Sequence, residues 1–169
     1  QADKENMLNI LNNWKAKFDE EKPKMILVTT SGGGQRAALW TTRVLQSVDS
    51  VLKGDLMKHT SLITGASGGL IGASYYRDYY LDKQQRINDE AIDLEPVGRD
   101  ILNPIIFSLF VNDIFVRTGS FEFANQSYPK DRGYAFEETL KSNLNMADKR
   151  LVEYQKDEFD AIIPTLVMS

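Results

Sequence analysis

Two glycine-rich segments carry the residues in this chain that are best suited to acyl-transfer chemistry. The first is Ser31-Gly32-Gly33-Gly34-Gln35-Arg36, and the second is Gly65-Ala66-Ser67-Gly68-Gly69. Each segment follows a short aliphatic or β-branched run and precedes a stretch whose pattern predicts a helix. Both therefore mark a position where a strand passes into a helix.

The second segment fits the pattern G-x-S-x-G, with Ser67 at its centre. A serine at the tip of a sharp strand-to-helix turn is held in strained backbone geometry, and small neighbours such as Gly65 and Gly69 avoid clashes there. Ser61 to Thr64 is predicted to be the preceding strand, and a packed helix is predicted to begin near Leu70. This context predicts Ser67 to be a nucleophile, whereas the alternative is a tight turn with an idle serine.

The first segment supplies the next requirement of such a site. Attack on an ester carbonyl places negative charge on oxygen, and preorganised backbone N–H groups stabilise that charge. Consecutive glycines after the predicted strand 25–29 allow the backbone to approach a substrate, so Gly32, Gly33 and Gly34 are candidate oxyanion donors, together with Gly68. Arg36 adds a positive charge that supports this loop or meets a phosphate, unless it only forms a local salt bridge.

These two motifs resemble the patatin-like phospholipase family. The sequence at 31–38, followed by that at 64–69, is most similar to its bacterial and cytosolic phospholipase branch. Residues 100–113 and 131–137 resemble bacterial members more loosely. By position, the resemblance implies that Gly33 and Gly34 form the oxyanion hole, that Arg36 is the loop arginine and that Ser67 is the nucleophile of a Ser-Asp dyad.

The resemblance also implies a three-layer α/β/α fold with a mainly parallel sheet and hydrolysis of carboxylic esters in phospholipids or related lipids. The family's aspartate lies in an Asp-Gly-Gly or Asp-Gly-Ala turn, and this sequence has none. Asp131 precedes Arg132-Gly133, which has only the outline of that turn. We therefore expect the chain to be an N-terminal part of the domain, incomplete at its C-terminal end and with the aspartate beyond residue 169, so that it is inactive alone.

Composition predicts one compact domain over 1–169, since 42% of its residues are hydrophobic and 26% are charged. A net charge of −4 argues against a nucleic-acid partner. The chain has no cysteine, which excludes disulfides and thiol catalysis. His59, its one histidine, is expected to be an ordinary turn residue rather than a catalytic base. The sequence suggests neither a metal site nor a cofactor.

The remaining sequence divides into predicted elements around the 24–80 region that holds both motifs. Residues 1–22 are predicted to form an amphipathic helix. Residues 35–52 are predicted to form a helix whose inner face carries Ala38, Thr41, Leu45, Val48 and Leu52. Residues 99–117 form an apolar segment that is either core or a cap over the site. A buried strand is predicted at 161–168 and a loop at 118–130. The alternation of strands and helices predicts an α/β fold with a parallel sheet.

Four tyrosines follow the second motif: Tyr75, Tyr76, Tyr79 and Tyr80. At helical spacing they form two adjacent stripes. They are expected to be buried with hydrogen-bonded hydroxyls, and the alternative is that they line an acyl or headgroup pocket.

No stretch of about twenty apolar residues is present, so none is predicted to span a membrane. Nor is there a signal-peptide pattern. The sequence thus predicts a soluble or peripheral protein, most consistent with a bacterial cytoplasmic or membrane-associated location. The expected partners are a lipid or ester substrate, a membrane surface, and a second copy of the chain joined through an unpaired sheet edge.

Two other classes compete with the hydrolase. Gly32 to Ala37 fits G-x-G-x-x-A, which is typical of a dinucleotide-binding Rossmann domain. That class needs an acidic residue at the end of the second strand, where this chain has Thr64-Gly65-Ala66-Ser67. A non-catalytic binding module on the same fold is the other alternative.

Overall fold

The computed structural model describes residues 2–87, 90–110, 119–123, 125–144 and 149–168. They belong to two compact units, one formed by residues 1–94 with 149–169 and the other by residues 95–148. In chain order the elements are α1 (Ala2–Lys15), β1 (Ile26–Thr30), α2 (Gly34–Val51), α3 (Leu56–His59), β2 (Thr60–Gly65), α4 (Ser67–Gln84), α5 (Glu95–Gly98), α6 (Leu102–Ser108), β3 (Ser120–Phe123), β4 (Gln126–Pro129), α7 (Arg132–Leu144), a 3₁₀ turn (Leu151–Tyr154), α8 (Gln155–Phe159) and β5 (Thr165–Met168).

The first unit contains a three-stranded parallel sheet with β2 between β1 and β5. Val28, Ile63 and Leu166 are paired across it, so their side chains share one face. This arrangement confirms the predicted mixed α/β class with a parallel sheet. The last strand is shorter than predicted, since it begins at Thr165.

Helices α2 and α4 pack against each other beside the sheet. Gly72 allows this approach, because a Cβ atom there would overlap the carbonyl oxygen of Ala38. Thr42 lies at the same contact and its Oγ1 is 3.0 Å from the Ala38 oxygen and 3.2 Å from the Gly72 oxygen. The predicted inner face of α2 is wrong at its C-terminal end, since Val48 and Leu52 are exposed.

Helix α1 ends at Lys15 and is therefore shorter than the helix predicted over residues 1–22. Its Trp14 side chain is buried and packs against Phe18, whose ring centroid is 5.1 Å away. Asn13 Nδ2 donates to the Phe159 carbonyl at 2.8 Å, and Lys17 Nζ donates to the Ala161 carbonyl at 2.7 Å. These contacts join the N-terminal segment to the chain just before β5.

Burial, together with the nearby Lys58 charge, lowers the pKa of Lys17 from 10.5 to about 8. The charged form of Lys17 is thus disfavoured in the folded state, and this penalty is present in full below pH 8 and disappears as the pH rises toward 10.5. Relative to Lys17→Met, the wild-type free energy of unfolding should increase by about 1–2 kcal/mol across that interval. Urea titrations of both proteins at several pH values measure this difference, and parallel curves would contradict the assignment.

In the second unit, α6 and α7 pack together and β3 pairs with β4 in an antiparallel hairpin. The prediction of a loop over residues 118–130 is therefore wrong where β3 and β4 lie. Of the apolar segment 99–117, residues 99–110 are described, and within it Phe107 is 68% exposed. Residues 111–117 of that predicted core or cap segment lie outside the described residues.

None of the helices within the described ranges is both long enough and apolar enough to cross a membrane.

Candidate active site

The parallel sheet brings the two glycine-rich segments together at the C-terminal ends of its strands. Strands β1 and β2 are parallel, and Thr30 at the end of β1 is paired with Gly65 at the end of β2. The chain enters α2 at Gly34 and α4 at Ser67. The predicted strand-turn-helix context of both motifs is therefore confirmed.

Ser67 has left-handed backbone geometry, with φ at 51°. A residue with a Cβ atom seldom adopts this conformation, which costs about 1–3 kcal/mol and persists only where the surrounding structure imposes it. The side chain is exposed, and its hydroxyl has no hydrogen-bond partner in the described part of the chain. Ser67 thus combines a strained backbone with an unengaged hydroxyl at the first residue of α4.

The glycines around Ser67 allow the two loops to touch. A Cβ atom on Gly68 would overlap the carbonyl oxygen of Gly34, and one on Gly69 would overlap that of Ser31. A Cβ atom on Gly65 would overlap the Thr30 side chain at the preceding strand end. Only glycine fits these three positions without movement of the neighbouring backbone.

The first loop places its glycines beside the serine. An ideal Cβ on Gly32 would lie 3.5 Å from the Ser67 Cβ, in ordinary van der Waals contact. Gly33 and Gly34 have φ values of 140° and 62°, which favour glycine. Because Gly33 precedes the first residue of α2, this loop leads directly into a helix N-terminus.

The N-termini of α2 and α4 create a positive electrostatic potential at the C-terminal ends of β1 and β2. Both helices have 18 residues, and their first-turn N–H groups have no partner within the helix. The positive ends of the two helix dipoles therefore lie next to each other, beside Ser67. This environment suits an oxygen atom that becomes negatively charged during a reaction.

Arg36 adds a full charge in the first turn of α2. Its side chain is exposed and forms no hydrogen bond or ion pair with any residue of the described ranges. The alternative of a local salt bridge thus has no support among those residues. A guanidinium in this position is available to an anionic ligand group.

A cleft of about 340 Å³ borders the first loop. It lies between β1 and α2 and reaches Ser31 and Gly32 at one end. Its wall is largely apolar and includes Val28, Trp40 and Val44. The volume falls at the lower end of the range of small-ligand pockets, about 300–1,000 Å³.

His59 lies at the opposite end of β2 from Ser67, so the strand places them about 20 Å apart. Its Nδ1 is 2.9 Å from the Lys24 carbonyl oxygen, and its ring packs against Phe18 at 4.6 Å. His59 thus takes part in packing away from Ser67, and it is the last residue of α3 rather than part of the predicted turn.

Asp131, which precedes the outline of the family's aspartate turn, belongs to the second unit. Its Oδ1 accepts hydrogen bonds from the backbone N–H groups of Gly133 at 2.9 Å and Tyr134 at 3.1 Å. The carboxylate thus stabilises the N-terminus of α7.

Three of the four tyrosines that follow the second motif have the expected hydrogen-bonded hydroxyl. Tyr75 and Tyr79 donate to backbone carbonyls at 3.0 Å, and Tyr76 donates to Asp49 at 2.7 Å. Burial, followed by the Asp49 hydrogen bond, raises the pKa of Tyr76, and burial raises the pKa of Tyr80 to about 12. None of the four lines the cleft beside the first loop.

Sequence reasoning missed a buried polar cluster on α4. Arg77 is only 3% exposed, forms an ion pair with Glu158 and donates from Nε to the Pro164 carbonyl at 2.8 Å. Asp78 accepts from the Tyr154 hydroxyl at 2.7 Å and from Lys149 at 3.0 Å. The signal available in the sequence was the adjacent pair of opposite charges, Arg77 and Asp78, within a helix that is otherwise packed. The cluster attaches the chain before β5 to the helix that begins at Ser67.

Searches against protein-family models, curated proteins and solved structures each found no match to this chain.

Proposed function

We propose that this chain carries the nucleophile of a serine acyl hydrolase that cleaves carboxylic esters of phospholipids or related lipids, in the manner of patatin-like phospholipases. One observation carries the proposal. The backbone of Ser67 is held in left-handed geometry at the start of a helix, with its hydroxyl exposed beside a glycine loop. Strain of this kind at a serine supports a catalytic role.

In the proposed reaction, the Ser67 hydroxyl loses its proton to a carboxylate base as its oxygen attacks the acyl carbonyl. The backbone amides of Gly33 and Gly34, with those of Gly32 and Gly68, stabilise the oxyanion. Collapse of the tetrahedral intermediate expels the alcohol, which receives the proton from the base. Water then attacks the acyl-enzyme, releases the fatty acid and restores the hydroxyl.

The proposed base is an aspartate from residues that follow position 169. Strand β5 supports this assignment, because it is parallel to β2 and Met168 is paired with Gly65. Strand β5 therefore ends on the same side of the sheet as Gly65 and Ser67. The Arg77–Glu158 ion pair stabilises this placement by holding the turn before β5 against α4.

The larger arrangement proposed for the protein is the three-layer, patatin-like one, in which further strands extend the parallel sheet. Strand β5 has one neighbour in the described sheet, so it leaves an edge to which another strand, or that of a second copy, can pair. We propose that the enzyme acts at a membrane surface or in the bacterial cytoplasm.

We further propose that Arg36 supports the oxyanion loop or binds the substrate phosphate.

The direct test is fatty-acid release from phosphatidylcholine in mixed micelles, measured by mass spectrometry. A form extended along its gene past residue 169 is expected to release fatty acid, whereas residues 1–169 alone are expected to release much less. Turnover by both forms would place the base within residues 1–169 and make Asp131 the first residue to replace. Absence of turnover by either folded form, on this lipid and on a soluble short-chain ester, would contradict the proposal.

A further inference from the structure

The outward side of α2 is unusually apolar for a helix at a protein surface. Trp40, Val44, Val48 and Val51 recur at spacings of four, four and three residues, which place them in one stripe along the helix. Trp40 is 70% exposed and Val51 is 80% exposed. A continuous stripe of exposed apolar side chains, in contrast to scattered single ones, is typical of an interaction surface.

Basic side chains flank this stripe. Arg36 and Arg43 lie along its side, and neither forms an ion pair with a residue in the described ranges. Asp49, the single acidic residue of α2, is partly buried. Its carboxylate accepts hydrogen bonds from the Leu56 N–H at 2.9 Å and from the Tyr76 hydroxyl at 2.7 Å. The exposed charges of α2 are therefore all positive, although the chain as a whole has a net charge of −4.

The stripe is continuous with the candidate active site. Trp40 and Val44 line the cleft between β1 and α2, and the same cleft is bordered by Ser31 and Gly32. Gly32 lies in turn beside Ser67. An apolar chain that enters at Trp40 thus has a path along the cleft to the oxyanion loop.

We infer that this face of α2 docks onto the surface of an anionic lipid aggregate, with Trp40 and the three valines inserted among the acyl chains and the arginines at the headgroups. An exposed tryptophan in an apolar stripe beside cationic side chains has the features of an interfacial helix. The inference rests on the proposed function for the identity of the surface as substrate-bearing lipid. It assigns to α2 the role of bringing an ester to Ser67.

The test uses residues 1–169 with the Ser67→Ala change, so that lipid binding is measured without turnover and Trp14 and Trp40 are the only tryptophans. Tryptophan emission is recorded during titration with vesicles of equal parts phosphatidylcholine and phosphatidylglycerol, and with vesicles of phosphatidylcholine alone. Trp14 is 4% exposed and should change little, so Trp40 is the reporter. We expect a blue shift with anionic vesicles and quenching of Trp40 by brominated acyl chains.

Vesicle sedimentation then compares variants. Trp40→Ala should weaken binding about tenfold, since the side chain loses its burial in the acyl region. Val51→Ser and Arg43→Gln should each weaken it several-fold, while Val152→Ser, the same change at another exposed valine, should not. Equal binding by Val51→Ser and Val152→Ser would overturn the inference.

Two further outcomes would also overturn it. A blue shift that depends on protein concentration in the absence of vesicles would mean that the stripe contacts a second copy. Unchanged Trp40 emission at saturating anionic lipid would mean that α2 does not enter the surface. If the protein binds vesicles as expected but the wild-type extended form hydrolyses no ester, the lipid-docking role of α2 is supported and the hydrolase proposal is contradicted.

Discussion

Ser67→Ala is expected to reduce ester hydrolysis by the extended form by about 10⁴-fold or more, because removal of a nucleophile eliminates the covalent pathway. The kcat for a soluble short-chain ester measures this loss. KM should change little, since Ser67 does not provide the apolar wall of the cleft. Alanine retains the Cβ atom and the strained φ of 51°, so the fold should be preserved.

Two companion variants separate catalysis from folding. Ser47→Ala changes an exposed serine of α2 and should leave kcat unchanged. Ser67→Gly should be equally inactive yet increase the free energy of unfolding by about 1 kcal/mol, because glycine adopts positive φ without strain. Retention of most activity by Ser67→Ala would exclude Ser67 as the nucleophile.

Gly68→Ala is expected to destabilise the protein by about 2–4 kcal/mol and to abolish activity in molecules that remain folded. The added Cβ would overlap the carbonyl oxygen of Gly34, and backbone atoms cannot rotate away as a flexible side chain can. The glycine loop must therefore move away from Ser67. Chemical denaturation and kcat, measured below the unfolding transition, report the two effects.

Two other glycine substitutions serve as controls. Gly72→Ala creates a comparable overlap with Ala38 one helical turn from the site, so it should cost similar stability but much less kcat. Gly32→Ala places its Cβ in ordinary contact with Ser67 and should fold nearly as well as wild type. If Gly68→Ala and Gly72→Ala lose the same fraction of kcat, the loop contact has no specific catalytic role.

The sequence allowed the parallel sheet and both strand-turn-helix junctions to be predicted because their signals are local. A β-branched run before glycine gives a strand and its end, and glycines at 65, 68 and 69 indicate close backbone approach. The positive φ of Ser67 follows from the same pattern. Its identification as a nucleophile remains a prediction that combines this geometry with the resemblance to patatin-like phospholipases.

Features that depend on tertiary contacts were not predictable. Periodicity could not locate the end of α1 at Lys15, because the following residues pack against His59 as irregular chain rather than as helix. Arg77 and Glu158 are 81 positions apart, so nothing local indicates their pairing. Val48 has the spacing of a core residue but is exposed, since burial on a helix depends on which neighbours cover it.

The most direct test of the central claim is mass spectrometry of the extended form after treatment with a fluorophosphonate. This probe reacts with a serine only where a base and an oxyanion site activate it. We expect one adduct, on the peptide that contains Ser67, and none on the Ser67→Ala protein. An adduct at a different serine, or no adduct on folded wild-type protein, would contradict the account.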